Sequence, residues 1–143
     1  MVEPQEKVEK KDDMDGASRH KLLLMSHKGK ALVKKDKKYI HEGHDVFWFE
    51  LGEIGQAIEV EISKGYPDGQ LIRIADSPHG FDCARAQYHS QNEIVTWKHH
   101  KGLNQWFSVN EDMTISPCAA PNRVWGLRES DNGLVLVDKG DKN

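Results

Sequence analysis

The side chains best suited to chemistry in this sequence are Asp82, Trp97, Asn104 and Gln105. A sugar has an apolar face of C–H groups and an edge of hydroxyls. An indole ring packs against such a face, and carboxylate or amide groups hydrogen-bond adjacent hydroxyls. If the fold brings the four residues together, we expect a shallow site of weak affinity, because each sugar hydroxyl exchanges water for protein with little net gain.

The order of these residues resembles one repeat of the ricin-type β-trefoil. Asp82 precedes an apolar strand that ends in Trp97, and an Asn-Gln-x-aromatic sequence starts at Asn104 before a turn and a Thr-Ile strand. The resemblance covers residues 82–127 and implies a β-trefoil-like fold with lectin-like, non-catalytic binding of a carbohydrate or glycoconjugate. Two positions depart from the pattern: Phe107 stands where the family usually has Trp, and Val95 where a sugar-binding Gln is common.

The same four residues have a structural interpretation. Asn and Gln side chains can tie a turn, and aromatic rings can fill a core. A complete trefoil needs three repeats of about 40 residues. Apart from the single clear repeat, the sequence shows only weak similarity to the repeat pattern, at 45–51 and at 123–127 with 133–137. The alternative function is therefore a protein-interaction or scaffold β-domain without a sugar site.

Catalytic and metal-binding patterns are weak. His41-Glu42-Gly43-His44 is one residue short of the zinc-protease spacing and contains a glycine, and His99-His100 adds only a pair. The chain has no glycine-rich phosphate loop, and its two cysteines, Cys83 and Cys118, have no evident activating neighbour in sequence. We expect no enzymatic activity, no metal and no cofactor, and we expect both thiols to be reduced.

A lysine-rich stretch lies between residues 28 and 38. It could contact phosphates, or it could be an exposed hairpin whose lysines discourage edge pairing. Because acids and bases balance after residue 18, the body carries no standing positive field, so we favour the hairpin and expect no nucleic-acid binding. The cluster comprises Lys28, Lys30, Lys34, Lys35, Lys37 and Lys38.

The candidate site residues must be positioned by the elements that the rest of the sequence forms. The sequence consists of short runs of β-branched and aromatic residues separated by turn signals. This pattern predicts an all-β fold of ten or eleven strands. The predicted strands cover residues 20–26, 31–33, 39–41, 45–51, 57–62, 71–75, 93–97, 105–109, 114–116, 123–127 and 133–137.

The first residues differ from the rest in composition. Residues 1–18 carry six acids and three lysines with almost no apolar side chain, which predicts a disordered acidic tail before a domain over 19–143. The 143 residues suffice for one domain, and no apolar run approaches the ~20 residues of a membrane span. We expect a soluble, cytoplasmic protein.

Overall fold

Alternating apolar and polar residues form strands throughout the chain. The computed structural model describes residues 16–24, 27–42, 44–65, 69–98, 100 and 102–140, of which the side chains of Lys37 and His44 are not included. The strands within these ranges are β1 (Ser18–Lys21), β2 (Lys30–His41), β3 (His44–Glu53), β4 (Glu59–Ile62), β5 (Ile72–Ile74), β6 (His79–Cys83), β7 (Ile94–Lys98), β8 (Phe107–Val109), β9 (Ile115–Pro117), β10 (Arg123–Leu127) and β11 (Leu134–Asp138).

The only helical segments in the described ranges are single 3₁₀ turns. They cover Ile54–Gln56, Ala84–Ala86 and Leu103–Gln105. The all-β prediction is therefore confirmed. None of the described helical segments has the length and apolar character needed to cross a membrane.

The strands form one sheet and three hairpins, all antiparallel. The five-stranded sheet has the order β1-β4-β5-β6-β7, and the hairpins are β2–β3, β8–β9 and β10–β11. Isolated bridges connect these units: Glu50 pairs with Gly133, Glu93 with Val135, and Gln70 with Phe107. The bridges bring β11 beside the end of β3 and the start of β7.

The core lies on one face of the sheet and is rich in aromatic rings. The Phe81 ring lies 4.8 Å from the Phe49 ring and 5.2 Å from that of Trp125, which is 5.3 Å from the Phe107 ring. Phe49, Phe81 and Phe107 are at most 1% exposed. Buried aliphatic side chains from six strands complete this cluster, among them Leu32, Val60, Ile72, Ile94 and Leu136.

Two strand predictions were wrong in instructive ways. The predicted strand over 20–26 starts earlier, as β1, whose four residues are all exposed. Alternation failed there because β1 is an edge strand held by ion pairs, such as that of Arg19 with Glu61 at 3.2 Å. The strand β6 was not predicted at all, because His79, Gly80 and Asp82 interrupt its apolar residues.

The lysine-rich stretch lies in a long β2–β3 hairpin, but the predicted separate strands over 31–33 and 39–41 are one strand. It continues β2 without a break through Lys34–Lys38, where the pairing with β3 shifts register. Several lysines meet acids: Lys35 lies 3.1 Å from Asp131, Lys38 lies 3.0 Å from Asp45, and Lys30 pairs with Glu53. Among the described side chains, three of these lysines therefore pair with an acid, and the Lys34 ammonium lies 4.2 Å from the Phe47 ring centroid.

The predicted tail falls mostly outside the described residues, which begin at Gly16. Ser18, its last residue, opens β1 and pairs with Ile62 of β4. The folded part thus includes Ser18.

Candidate functional site

The register of β6 and β7 brings Asp82 and Trp97 to one face of the sheet. Asp82 lies opposite Val95, and Gly80 lies opposite Trp97. Facing residues share a side of the sheet, so Asp82 and Trp97 are diagonal neighbours with Cα atoms about 7–8 Å apart. The intervening Phe81 points to the opposite side, into the core. We call the face that carries Asp82 and Trp97 the outer face.

The Asp82 carboxylate accepts hydrogen bonds from both predicted amide residues. The Asn104 side-chain nitrogen donates to Oδ1 at 2.6 Å, and the Gln105 side-chain nitrogen donates to Oδ2 at 3.0 Å. The His100 Nε2 atom lies 3.6 Å from Oδ2. Three of the four predicted residues therefore form one connected cluster, to which the structure adds His100.

Burial controls the acidity of this carboxylate. Asp82 is only 4% exposed. Loss of water raises its pKa to about 6, and the hydrogen bond from Gln105 and the nearby His100 offset part of that effect. Asp82 is thus a poor direct ligand for a sugar hydroxyl, because its oxygens face protein donors rather than solvent.

Gln105 holds the turn that covers Asp82. Its side chain is fully buried, its nitrogen also donates to the Lys98 carbonyl at 3.0 Å, and its oxygen accepts from the His100 backbone N–H at 2.9 Å. The Asn104 nitrogen is also 3.3 Å from the Cys83 carbonyl. These contacts tie the Leu103–Gln105 turn to the ends of β6 and β7, so the amides have the structural role described above as the alternative.

Trp97 is half-buried on the outer face and packs against a histidine. Its ring centroid lies 5.0 Å from that of His41, with the planes inclined at 49°. The contact arises because β3 runs beside β7, where the Phe47 N–H donates to the Thr96 hydroxyl at 3.2 Å. Trp97 is absent from the core cluster among the described residues.

A second aromatic pair adjoins the first and was missed from the sequence. Tyr39 lies two residues before His41 on β2 and so shares its side of the strand. Its ring lies 5.0 Å from that of Trp48, whose indole N–H donates to Glu93 at 3.1 Å. The alternation of Phe47, Trp48 and Phe49 was a usable signal, since it predicts that Trp48 lies opposite to the two phenylalanines.

Among the described residues, His100 and Asn104 offer polar groups to solvent beside the Asp82 carboxylate. The His100 side chain is 46% exposed, and its Nδ1 accepts from the Gly102 N–H at 2.9 Å. Asn104 is half-buried. Together with the Trp97 ring, these groups offer one apolar surface and a polar edge.

The other predicted constellations contribute no further site. Gly43, His99 and the His44 side chain lie outside the described residues. Among the side chains that are described, no three or more His, Cys, Asp or Glu residues are grouped in a way that could hold a metal ion. Cys83 and Cys118 are not joined by a disulfide, and burial raises the pKa of Cys83 to about 12, which suppresses its thiolate form.

Comparison of the chain with protein-family models, curated proteins and solved structures finds no match. The geometry of the outer face is therefore the basis for assigning a function.

Proposed function

We propose that this protein is a non-catalytic carbohydrate-binding module whose ligand packs against Trp97. The observation that carries the proposal is the position of a half-buried indole beside the Asp82 cluster, on the face opposite the core. Sugar rings are recognised by aromatic surfaces edged with a few polar groups. In this proposal Trp97 is the platform, and His100 and Asn104 bond the hydroxyls.

Asp82 and Gln105 act through their neighbours. Because both are at least 96% buried, they position Asn104 and the His100 segment rather than contacting the sugar themselves. Pre-positioned polar groups lose little freedom when a ligand binds, which reduces the cost of association.

We also propose that the strands have a β-trefoil-like arrangement. The support comes from isolated bridges between these units. Glu50 of β3 pairs with Gly133 just before β11, and Glu93 just before β7 pairs with Val135 of β11. A further bridge pairs Gln70 with Phe107 of β8. The three described 3₁₀ turns each follow a strand, as expected for repeated units. An experimental structure that lacks approximate threefold symmetry in these strands would contradict this arrangement.

The Trp97→Ala variant tests the sugar site directly. We expect titration calorimetry with a panel of simple sugars, galactose included, to detect millimolar binding by the unmodified protein and none by this variant. Trp97→Phe keeps an apolar ring and should retain part of the affinity. Ile40→Ala, which alters an exposed residue of β2, is the control and should bind as the unmodified protein does.

An absence of heat and of any change in tryptophan fluorescence, for every sugar at millimolar concentration, would contradict carbohydrate binding. The second candidate is then a protein-interaction domain. It is favoured by the exposed end of β2, where Ile40 is 67% and Tyr39 is 42% exposed. In that case Ile40→Ser, and not Trp97→Ala, should reduce recovery of a cross-linked partner.

A further inference from the structure

The start of β3 carries a phenyl ring with basic side chains around it. The Lys34 ammonium lies 4.2 Å from the Phe47 ring centroid, and the Lys38 ammonium lies 5.7 Å from it. The centroid of the His79 ring is 5.6 Å from that of Phe47, with the planes at 81°. Lys98 faces His79 across the β6–β7 pair, so both side chains lie on the same side of the sheet. We call these five residues the Phe47 cluster.

The lysines of the Phe47 cluster carry more charge than the acids beside them balance. Lys38 lies 3.0 Å from Asp45. Within the part of the chain that the structure describes, the exposed side chains of Lys34 and Lys98 form no ion pair. Asp36, an exposed acid of the same hairpin, pairs with neither lysine. The Phe47 cluster therefore keeps a net positive charge that is open to solvent.

The arrangement of the Phe47 cluster favours recognition by charge over recognition by stacking. Nucleobases bind single-strand sites by stacking on open aromatic faces, whereas two ammonium groups lie over the Phe47 ring. A lysine ammonium is a compact charge with three N–H donors. Several of them together suit an anionic group that presents several oxygens, such as a sulfate ester.

We propose that the Phe47 cluster binds the sulfate groups of a sulfated polysaccharide. The choice of a polysaccharide rests on the proposed function, because Lys98 directly follows the sugar platform, Trp97, at the end of β7. Successive strand residues point to opposite faces of a sheet, so the Phe47 cluster and the platform are separate surfaces at one end of the same strand. A polysaccharide of several rings extends around this end from one surface to the other, and a single sugar occupies only the platform.

Titration calorimetry with dextran sulfate and with unsulfated dextran of the same length tests this assignment. We expect saturable binding of dextran sulfate that weakens as the salt concentration rises, and weaker binding of dextran. Lys34→Gln and Lys98→Gln should each weaken dextran sulfate binding about two- to fivefold, the effect of one exposed charge pair, and leave dextran unchanged. Lys21→Gln, on the opposite edge strand of the five-stranded sheet, is the matched control and should change neither affinity.

Absence of saturable dextran sulfate binding would overturn the proposal, and so would a loss in Lys21→Gln equal to the losses in Lys34→Gln and Lys98→Gln. Equal affinity for an oligothymidylate with the same number of charges would also overturn it, since the Phe47 cluster would then bind any polyanion. These results are separable from those for Trp97→Ala. Neutral-sugar binding without dextran sulfate binding contradicts the Phe47 cluster alone, and dextran sulfate binding without neutral-sugar binding contradicts the Trp97 platform alone.

Discussion

At the scale of the residue, Asp82 combines burial with ionisable chemistry. Its carboxylate accepts hydrogen bonds from two amides, yet burial outweighs these bonds and raises its pKa to about 6 from its ordinary value of 3.8. The ionised form is therefore less favourable in the folded protein than in the unfolded chain, by on the order of 3 kcal/mol at neutral pH. Burial of Asp82 beneath the Leu103–Gln105 turn therefore lowers the free energy of unfolding at neutral pH.

The pH dependence of stability follows from this shift. A raised folded-state pKa means that the folded protein binds the proton more tightly than the unfolded chain does. The free energy of unfolding of the unmodified protein, relative to that of Asp82→Asn, should be greatest below about pH 4 and fall as the pH rises through 6. Urea unfolding of both proteins between pH 4 and 7 measures the difference.

Asp112 provides a control of opposite sign. The Thr114 hydroxyl and backbone N–H donate to its carboxylate and lower its pKa. Relative to Asp112→Asn, the unmodified protein should therefore lose stability as the pH falls to 4 and below. If the Asp82 and Asp112 comparisons change in the same direction, the assignment of the raised pKa to burial of Asp82 is wrong.

At the scale of the element, the Leu103–Gln105 turn follows β7 in sequence and is hydrogen-bonded to the ends of β6 and β7. Gln105 contacts Asp82, the Lys98 carbonyl and the His100 backbone N–H, so one side chain satisfies three buried or half-buried polar groups. Removing a partner from such a group costs its desolvation free energy, since no water replaces it. The turn is thus held by polar contacts and not by apolar packing.

Gln105→Leu should lower the free energy of unfolding by about 3 kcal/mol, because it removes the amide donor to Oδ2 of Asp82 and the side-chain partner of two backbone groups. Leu103→Ala, in the same turn, should change it by less than about 0.5 kcal/mol, since Leu103 is 61% exposed. Urea unfolding at pH 7 compares the two variants. Equal effects would show that the Gln105 contacts contribute little.

At the scale of the whole molecule, the aromatic residues separate into two sets. Phe49, Phe81, Phe107 and Trp125 pack together in the core. In the region of β2, β3 and β7, the Tyr39 ring packs against Trp48 and the Trp97 ring packs against His41, outside that cluster. The first set supplies the rings of the core, and the second lies outside the core cluster.

Phe81→Ala should lower the free energy of unfolding by about 3–5 kcal/mol, because it removes a fully buried ring that contacts two others. Trp97→Ala should cost clearly less, since its ring is half-buried and faces away from the core. Thermal and urea unfolding of the two variants provide the comparison. A Trp97→Ala cost as large as that of Phe81→Ala would assign Trp97 to the core and contradict its role as a platform.

Local pattern was sufficient for the fold class and most strands. Alternating apolar residues such as Val60 and Ile62 identify β4 because a strand with one buried face needs that period. The connection between Asp82, Asn104 and Gln105 could also be anticipated, since the three residues stood together in one recognisable pattern. Edge strand β1 escaped because its exposed residues are held by pairing with β4, and β6 escaped because His79, Gly80 and Asp82 interrupt its apolar residues.

Tertiary structure alone decided which of these residues face solvent. Asn104 and Gln105, which hydrogen-bond the Asp82 carboxylate, lie 22 or more positions from it in sequence. The His41 ring likewise reaches Trp97 from a strand that is distant in sequence. A cavity beside β1 likewise draws its lining from seven strands and the loops between them. The amino-acid sequence by itself determined the side chains and their local period, whereas exposure, pKa and cavities arose from long-range packing, which no local pattern encodes.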